Sequence, residues 1–126
     1  MDSKRYEEGL AVRREMLGAE YVDRAMDGAG PFGAHFQDLV NEFCYGAAWA
    51  RPGMPRATRS LITLAILCAL NRPDELRMHL RAALRNGTSR EDILETLIQV
   101  TLYCGMPAGR DAFAAAKAVF EAVDSE

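Results

Sequence analysis

The chain has 126 residues, of which 49% are apolar and 26% charged, the composition of a folded globular protein rather than a disordered one. A formal net charge of −3 excludes the broad basic face that a nucleic-acid partner would demand. Three cysteines, Cys44, Cys68 and Cys104, are odd in number and widely spaced, which excludes a disulfide framework and points to a reduced, cytoplasmic protein. The length suits one domain over residues 1–126. Met1 to Glu8 is polar, with no secretory signal. The longest apolar stretch, Leu61 to Leu70, falls well short of the roughly 20 residues that a membrane span requires.

In chain order, Lys4 to Leu17 carries Tyr6, Leu10, Val12, Met16 and Leu17 among charged residues, a helical pattern that Gly18 stops. A short helix over Glu20 to Met26 is closed by Gly28-Ala29-Gly30-Pro31. His35 to Trp49 places Phe36, Leu39, Val40, Phe43 and Ala47 on one helical face. The loop Arg51-Pro52-Gly53-Met54-Pro55 breaks the chain. A helix from about Thr58 to Leu70 is apolar almost all round, which predicts burial inside the protein or against another subunit. Pro73 opens the next helix, which Asn86-Gly87 ends near Arg85. Thr88 and Glu91 have the spacing of a capping box for a helix over Asp92 to Tyr103. Gly105-Met106-Pro107 interrupts the pattern before an Ala-rich helix that reaches Val123. With no alternating strand anywhere, the fold class is all-α, a single domain of about six helices.

Four strings are specific enough to resemble a known family. They are Arg5-Tyr6-Glu7-Glu8-Gly9, the run from Trp49-Ala50-Arg51-Pro52-Gly53-Met54-Pro55 to Ser60, Glu75-Leu76-Arg77-Met78-His79-Leu80-Arg81-Ala82-Ala83, and Tyr103-Cys104-Gly105-Met106-Pro107-Ala108. In this order they resemble the carboxymuconolactone decarboxylase family across essentially the whole chain. The resemblance implies an alkylhydroperoxidase D-like helical fold and a homo-oligomeric ring, hexamer or trimer, with active sites close to subunit contacts. It also implies cofactor-independent loss of CO2 from 4-carboxymuconolactone, giving the 3-oxoadipate enol-lactone of aromatic degradation. Peroxidase-type relatives use a Cys-x-x-Cys pair, whereas the cysteines here lie 24 and 36 positions apart. Two positions depart from the family pattern: Ala57 stands where members often carry His, and Ala47 and Ala48 where they often carry an acidic residue.

Such a reaction asks for cations to hold carboxylates, a donor for the growing oxyanion and a proton donor. His79 lies four residues after Glu75, so the two share a helical face, and the carboxylate is expected to favour the protonated imidazole. By resemblance the helix bearing His79 supplies part of the active site; read from the residues alone, the pair is also compatible with a surface contact. Arg59, in the first turn of the apolar helix, is either a carboxylate anchor or half of an ion pair. Arg51 and Arg56 are expected to draw an anionic substrate, or to be solvated loop charges. Trp49 with Tyr45 walls a pocket or packs in a core, and Tyr103 is a candidate donor to a substrate oxygen or a packed ring. Cys104 reads as a small buried filler and His35 as a weak candidate near a helix start, and no metal or organic cofactor is expected. A paralogous decarboxylase or isomerase acting on another carboxylated lactone or enol, and a non-catalytic ligand-binding oligomer, are the competing expectations. The expected partner is thus a small carboxylated lactone, with no nucleic acid and no membrane.

Overall fold

A computed structural model describes residues 1–126, which form helices and the turns between them. The chain divides into two compact units, Met1–Met54 and Pro55–Glu126. No helix is long and apolar enough to cross a membrane.

The first unit holds α1 (Ser3–Leu17), α2 (Ala19–Gly28), α3 (Gly30–Leu39) and a π-helical continuation of α3, Val40–Trp49. Asp2 caps α1 by accepting a hydrogen bond from the Arg5 amide at 3.0 Å. The Gly28–Pro31 string does end α2, but it also opens the next helix at once. Gly30, at φ 64°, takes the left-handed turn, and Pro31 sits in the first turn of α3, where its missing N–H costs nothing. The helix expected from His35 therefore begins five residues earlier, at Gly30, with His35 exposed on it.

Two glycines set the spacing between α1 and the π segment. A Cβ on Gly9 would stand 1.8 Å from the Asn41 carbonyl oxygen, and one on Gly46 would stand 2.4 Å from the Arg5 carbonyl oxygen. Both neighbours are backbone atoms, so neither can swing aside. The two backbones touch here because both positions lack a side chain, and Met16, Tyr45 and Trp49 pack beside Val12, Leu17 and Val40 as the unit's core.

The second unit holds α4 (Arg56–Ala69), α5 (Pro73–Arg85), α6 (Arg90–Cys104) and α7 (Met106–Asp124). Helices α4 and α7 each pack against both α5 and α6. Their core includes Leu64, Leu76, Leu80, Ile93, Leu97 and Ala116. Ala112, Ala115 and Ala116 of α7 are buried, and Gly109 lies so near Thr101 that a Cβ would meet its hydroxyl at 2.1 Å.

The cap of α6 differs from the expectation. Ser89, not Thr88, accepts the Asp92 amide at 3.0 Å, and the helix starts at Arg90. Thr88 is buried instead and donates its hydroxyl to the Ala57 carbonyl at 3.4 Å, tying the start of α4 to the α5–α6 turn. The all-round burial anticipated for α4 is only partial within the chain. Leu64 is fully buried, but Ile62, Ile66 and Leu70 are 45–58% exposed along one row. A second row, Leu94, Ile98 and Leu102, is exposed on α6.

Gly9→Ala is expected to lower stability by about 2 kcal/mol or more, because the overpacking outweighs the gain in helix propensity. Urea unfolding of the variant beside the parent measures it, as a lower midpoint at unchanged slope.

Candidate functional site

Helix α5 presents a strongly apolar face through Leu76, His79, Leu80 and Ala83, all buried, at the three- and four-residue spacing of one side. His79 thus occupies a core position on a helix whose opposite face is charged. It is 8% exposed, and its Nε2 stands 4.0 Å from the Glu75 carboxylate, which reaches into water. Burial pushes the His79 pKa below its ordinary value of 6.5. The expectation that Glu75 would favour the imidazolium is therefore overturned: a solvent-facing carboxylate at this distance exerts less on the ring than loss of hydration does. Burial thus favours the neutral imidazole.

Arg59 lies in the first turn of α4, which packs on α5. Its backbone amide donates to the Pro55 carbonyl, but its half-buried side chain has a fully buried Nε with no hydrogen-bond acceptor. The same turn holds Arg56 and no acidic residue. Cations at the positive end of a helix oppose its dipole, so stability alone would place acids there.

The remaining candidates separate from this cluster. Tyr103 is 83% exposed at the end of α6, and Arg51 is exposed in the loop before Pro55. Arg56 is half-buried. Trp49 is buried in the core of the first unit, its ring 6.3 Å from that of Tyr45 at 21°, so packing rather than pocket wall describes it. Ala47 and Ala48, at the departures from the family pattern, are exposed, and Ala57 is half-buried. A cleft of about 280 Å³ opens in the second unit among Cys68, Asn71, Arg72, Leu76, Arg77 and Asp111, but none of the candidate residues lines it. Cys68 is buried, with its thiol pushed up to about 11 by burial and by Cys104, so it holds no thiolate at neutral pH, whereas Cys104, expected to be a buried filler, is exposed at the end of α6.

One group of polar residues escaped the sequence reading. Arg13 of α1 is 6% exposed and donates from Nη1 to the side-chain oxygens of Gln37, at 2.8 Å, and Asn41, at 3.0 Å. Asn41 is wholly buried and in turn donates to the Tyr6 hydroxyl at 3.3 Å. The guanidinium carbon lies 5.8 Å from the centre of the Tyr45 ring, and the Nε is buried without an acceptor. The available signal was its spacing: Arg13 falls three residues after Leu10 and three before Met16, both buried, hence on the inward face of α1.

Residues 34–118 match the family described as the carboxymuconolactone decarboxylase family. Over 120 residues the chain is 45% identical to the 4-carboxymuconolactone decarboxylase of Acinetobacter baylyi, covering 95% of this chain and 90% of that protein. It is 39% identical over 103 residues to the nitrosuccinic acid decarboxylase of Metarhizium robertsii, covering 82% of this chain and 72% of that one.

The depressed His79 pKa carries a consequence for stability. The unfolded chain takes up a proton near pH 6.5 that the folded protein resists, so this contribution is fully present above pH 6.5 and is lost as pH falls towards the folded value. Melting temperature is expected to drop between about pH 7.5 and about pH 5.5, and His79→Gln should shrink that drop. An equal drop in parent and variant would assign the pH dependence to other groups.

Proposed function

The chain belongs to the carboxymuconolactone decarboxylase family, and we propose that it removes CO2 from 4-carboxymuconolactone to give the 3-oxoadipate enol-lactone. The observation that carries this reading is the combination of a buried His79 on α5 with an Arg59 on the adjoining α4 whose Nε lacks an acceptor.

The chemistry follows from the substrate. Its ring carboxylate is borne by a saturated ring carbon next to the double bond that is conjugated with the lactone carbonyl. When the bond to CO2 breaks, the electron pair spreads onto that carbonyl oxygen as a dienolate, so the substrate is its own electron sink. One proton must then reach a ring carbon. Arg59 supplies fixed positive charge to a carboxylate or to the growing oxyanion, in surroundings where such charge acts more strongly than in water. His79 supplies the proton. It enters the reaction neutral, and the incoming dianion raises its pKa, so binding loads the acid that the chemistry consumes. Glu75, at 4.0 Å, then faces an imidazolium and steadies it.

A second substrate is favoured by one specific relative. Nitrosuccinic acid, named for the Metarhizium protein, is also a diacid that loses one carboxyl beside an electron-withdrawing group and keeps the other. Both reactions fit the same plan of one carboxylate held and one expelled.

We further infer that the chain self-associates in a ring, hexamer or trimer. The exposed rows Ile62, Ile66 and Leu70 and Leu94, Ile98 and Leu102 form apolar surface that a second copy would cover. The free thiols Cys68 and Cys104 fit a reducing cytoplasm.

Purified protein with chelator present is expected to consume 4-carboxymuconolactone, followed by ultraviolet absorbance, and His79→Gln to lower kcat by about 10²- to 10⁴-fold. No turnover by folded parent protein rejects this substrate, and turnover of nitrosuccinate in its place supports the second. Ile66→Glu with Ile98→Glu is expected to shift the mass measured by light scattering towards the monomer; an unchanged mass excludes these rows from the interface.

A further inference from the structure

We propose that the cleft of about 280 Å³ in the second unit binds a small apolar α-amino acid, with Arg72 receiving its carboxylate and Asp111 its ammonium group. The inference stands apart from the decarboxylase reading, since neither His79, Glu75 nor Arg59 lines this cleft.

The second unit builds the cleft alone, from the end of α4, the turn into α5, the first residues of α5, and α7. Three charged side chains line it: Arg72, Arg77 and Asp111. Asp74 answers Arg77 at 3.2 Å. The side chains of Arg72 and Asp111 pair neither with each other nor with any other group of the protein. They hang from different walls, each on a fixed backbone. The Arg72 amide donates to the Leu67 carbonyl at 3.0 Å and its carbonyl accepts from the Leu76 amide at 2.9 Å, while Asp111 lies within α7. Between these two charges the surface is apolar. Leu76, Ala112 and Ala115 are buried beside Leu67, and Cys68, whose thiol burial pushes up to about 11, adds no charge.

Charge decides the class of occupant. A plain anion would gain Arg72 but meet Asp111, and a plain cation would gain Asp111 but meet Arg72. A molecule with both groups satisfies both walls. An α-amino acid carries them on one carbon and sends its side chain in a third direction, here onto the leucines and alanines. The guanidinium fork suits the carboxylate, and Asn71 at the rim adds an amide that can donate or accept. The volume falls near the lower end of small-molecule sites, roughly 300–1,000 Å³, which suits a single amino acid better than a nucleotide or an organic cofactor.

Calorimetric titration of the purified protein with leucine, valine and phenylalanine tests the proposal. At least one is expected to bind with a dissociation constant between about 10 μM and about 1 mM, the range open to so small a ligand. Arg72→Met and Asp111→Asn should each weaken that binding about 5- to 20-fold. Half-ligands supply the discriminating signature. The acid without the amine (4-methylpentanoate for leucine) should bind the parent more weakly than the amino acid and gain affinity in Asp111→Asn. The amine without the acid (3-methylbutylamine) should gain affinity in Arg72→Met. Both residues are exposed, so both variants should keep the parent's melting temperature. If one does not fold, the other decides with its matching half-ligand. No binding of any of the three amino acids overturns the proposal, as does affinity unchanged in either folded variant. Equal affinity of the parent for leucine and 4-methylpentanoate also overturns it and leaves a plain carboxylate site. Turnover of 4-carboxymuconolactone is a separate measurement, so the decarboxylase reading can fail without affecting this result.

Discussion

Water withheld from a polar group is the constraint on which this protein's chemistry depends. Arg13, the Nε of Arg59 and His79 each lie where hydration is poor. Arg13 has amide oxygens and an aromatic face, the Arg59 Nε has no acceptor, and the Glu75 carboxylate 4.0 Å from His79 is solvated. A fold of this length has little stability to spare for such features. They are tolerable because the surrounding packing is tight and because an anionic ligand would relieve them.

That packing is achieved differently in the two units. In the first, Gly9 and Gly46 let α1 and the π segment approach until their backbones meet, which brings Asn41 and Tyr45 against Arg13. In the second, alanines and Gly109 perform the corresponding task for α7, and larger side chains such as Leu64, Leu80 and Leu97 fill the space between helices. The amphipathic α5 then carries His79 inward and leaves Glu75 outside. The separation sets the protonation state, because a carboxylate in water is a weak counterweight to burial.

The electrostatic logic suits a reaction that consumes a proton and expels a neutral gas from an anion. In the proposed reaction a neutral base at rest would avoid holding an imidazolium in a dry site, and substrate charge would turn it into an acid only when one is needed. Arginines suit the complementary role, since they stay charged at every relevant pH and offer planar pairs of donors.

The order of the helices was legible in the sequence, because apolar periodicity, Pro73, Asn86-Gly87 and Gly18 are local signals that tertiary contacts did not override, but the π-helical form of Val40–Trp49 was not. Family membership was legible too, in four short strings spread along the chain. Finer boundaries were not. Ser89 displaced Thr88 as the cap because the Thr88 hydroxyl found the Ala57 carbonyl, a partner 31 residues away in sequence. The pairing of Glu75 with His79 followed from the helical repeat, but the resting charge of the imidazole did not, since it depends on how much water other helices remove. Arg13 looked like one more charge on an exposed helix until α3 and the π segment closed over it. Spacing assigns a residue to a face; only tertiary structure decides what that face meets and which of its polar groups are left without a partner.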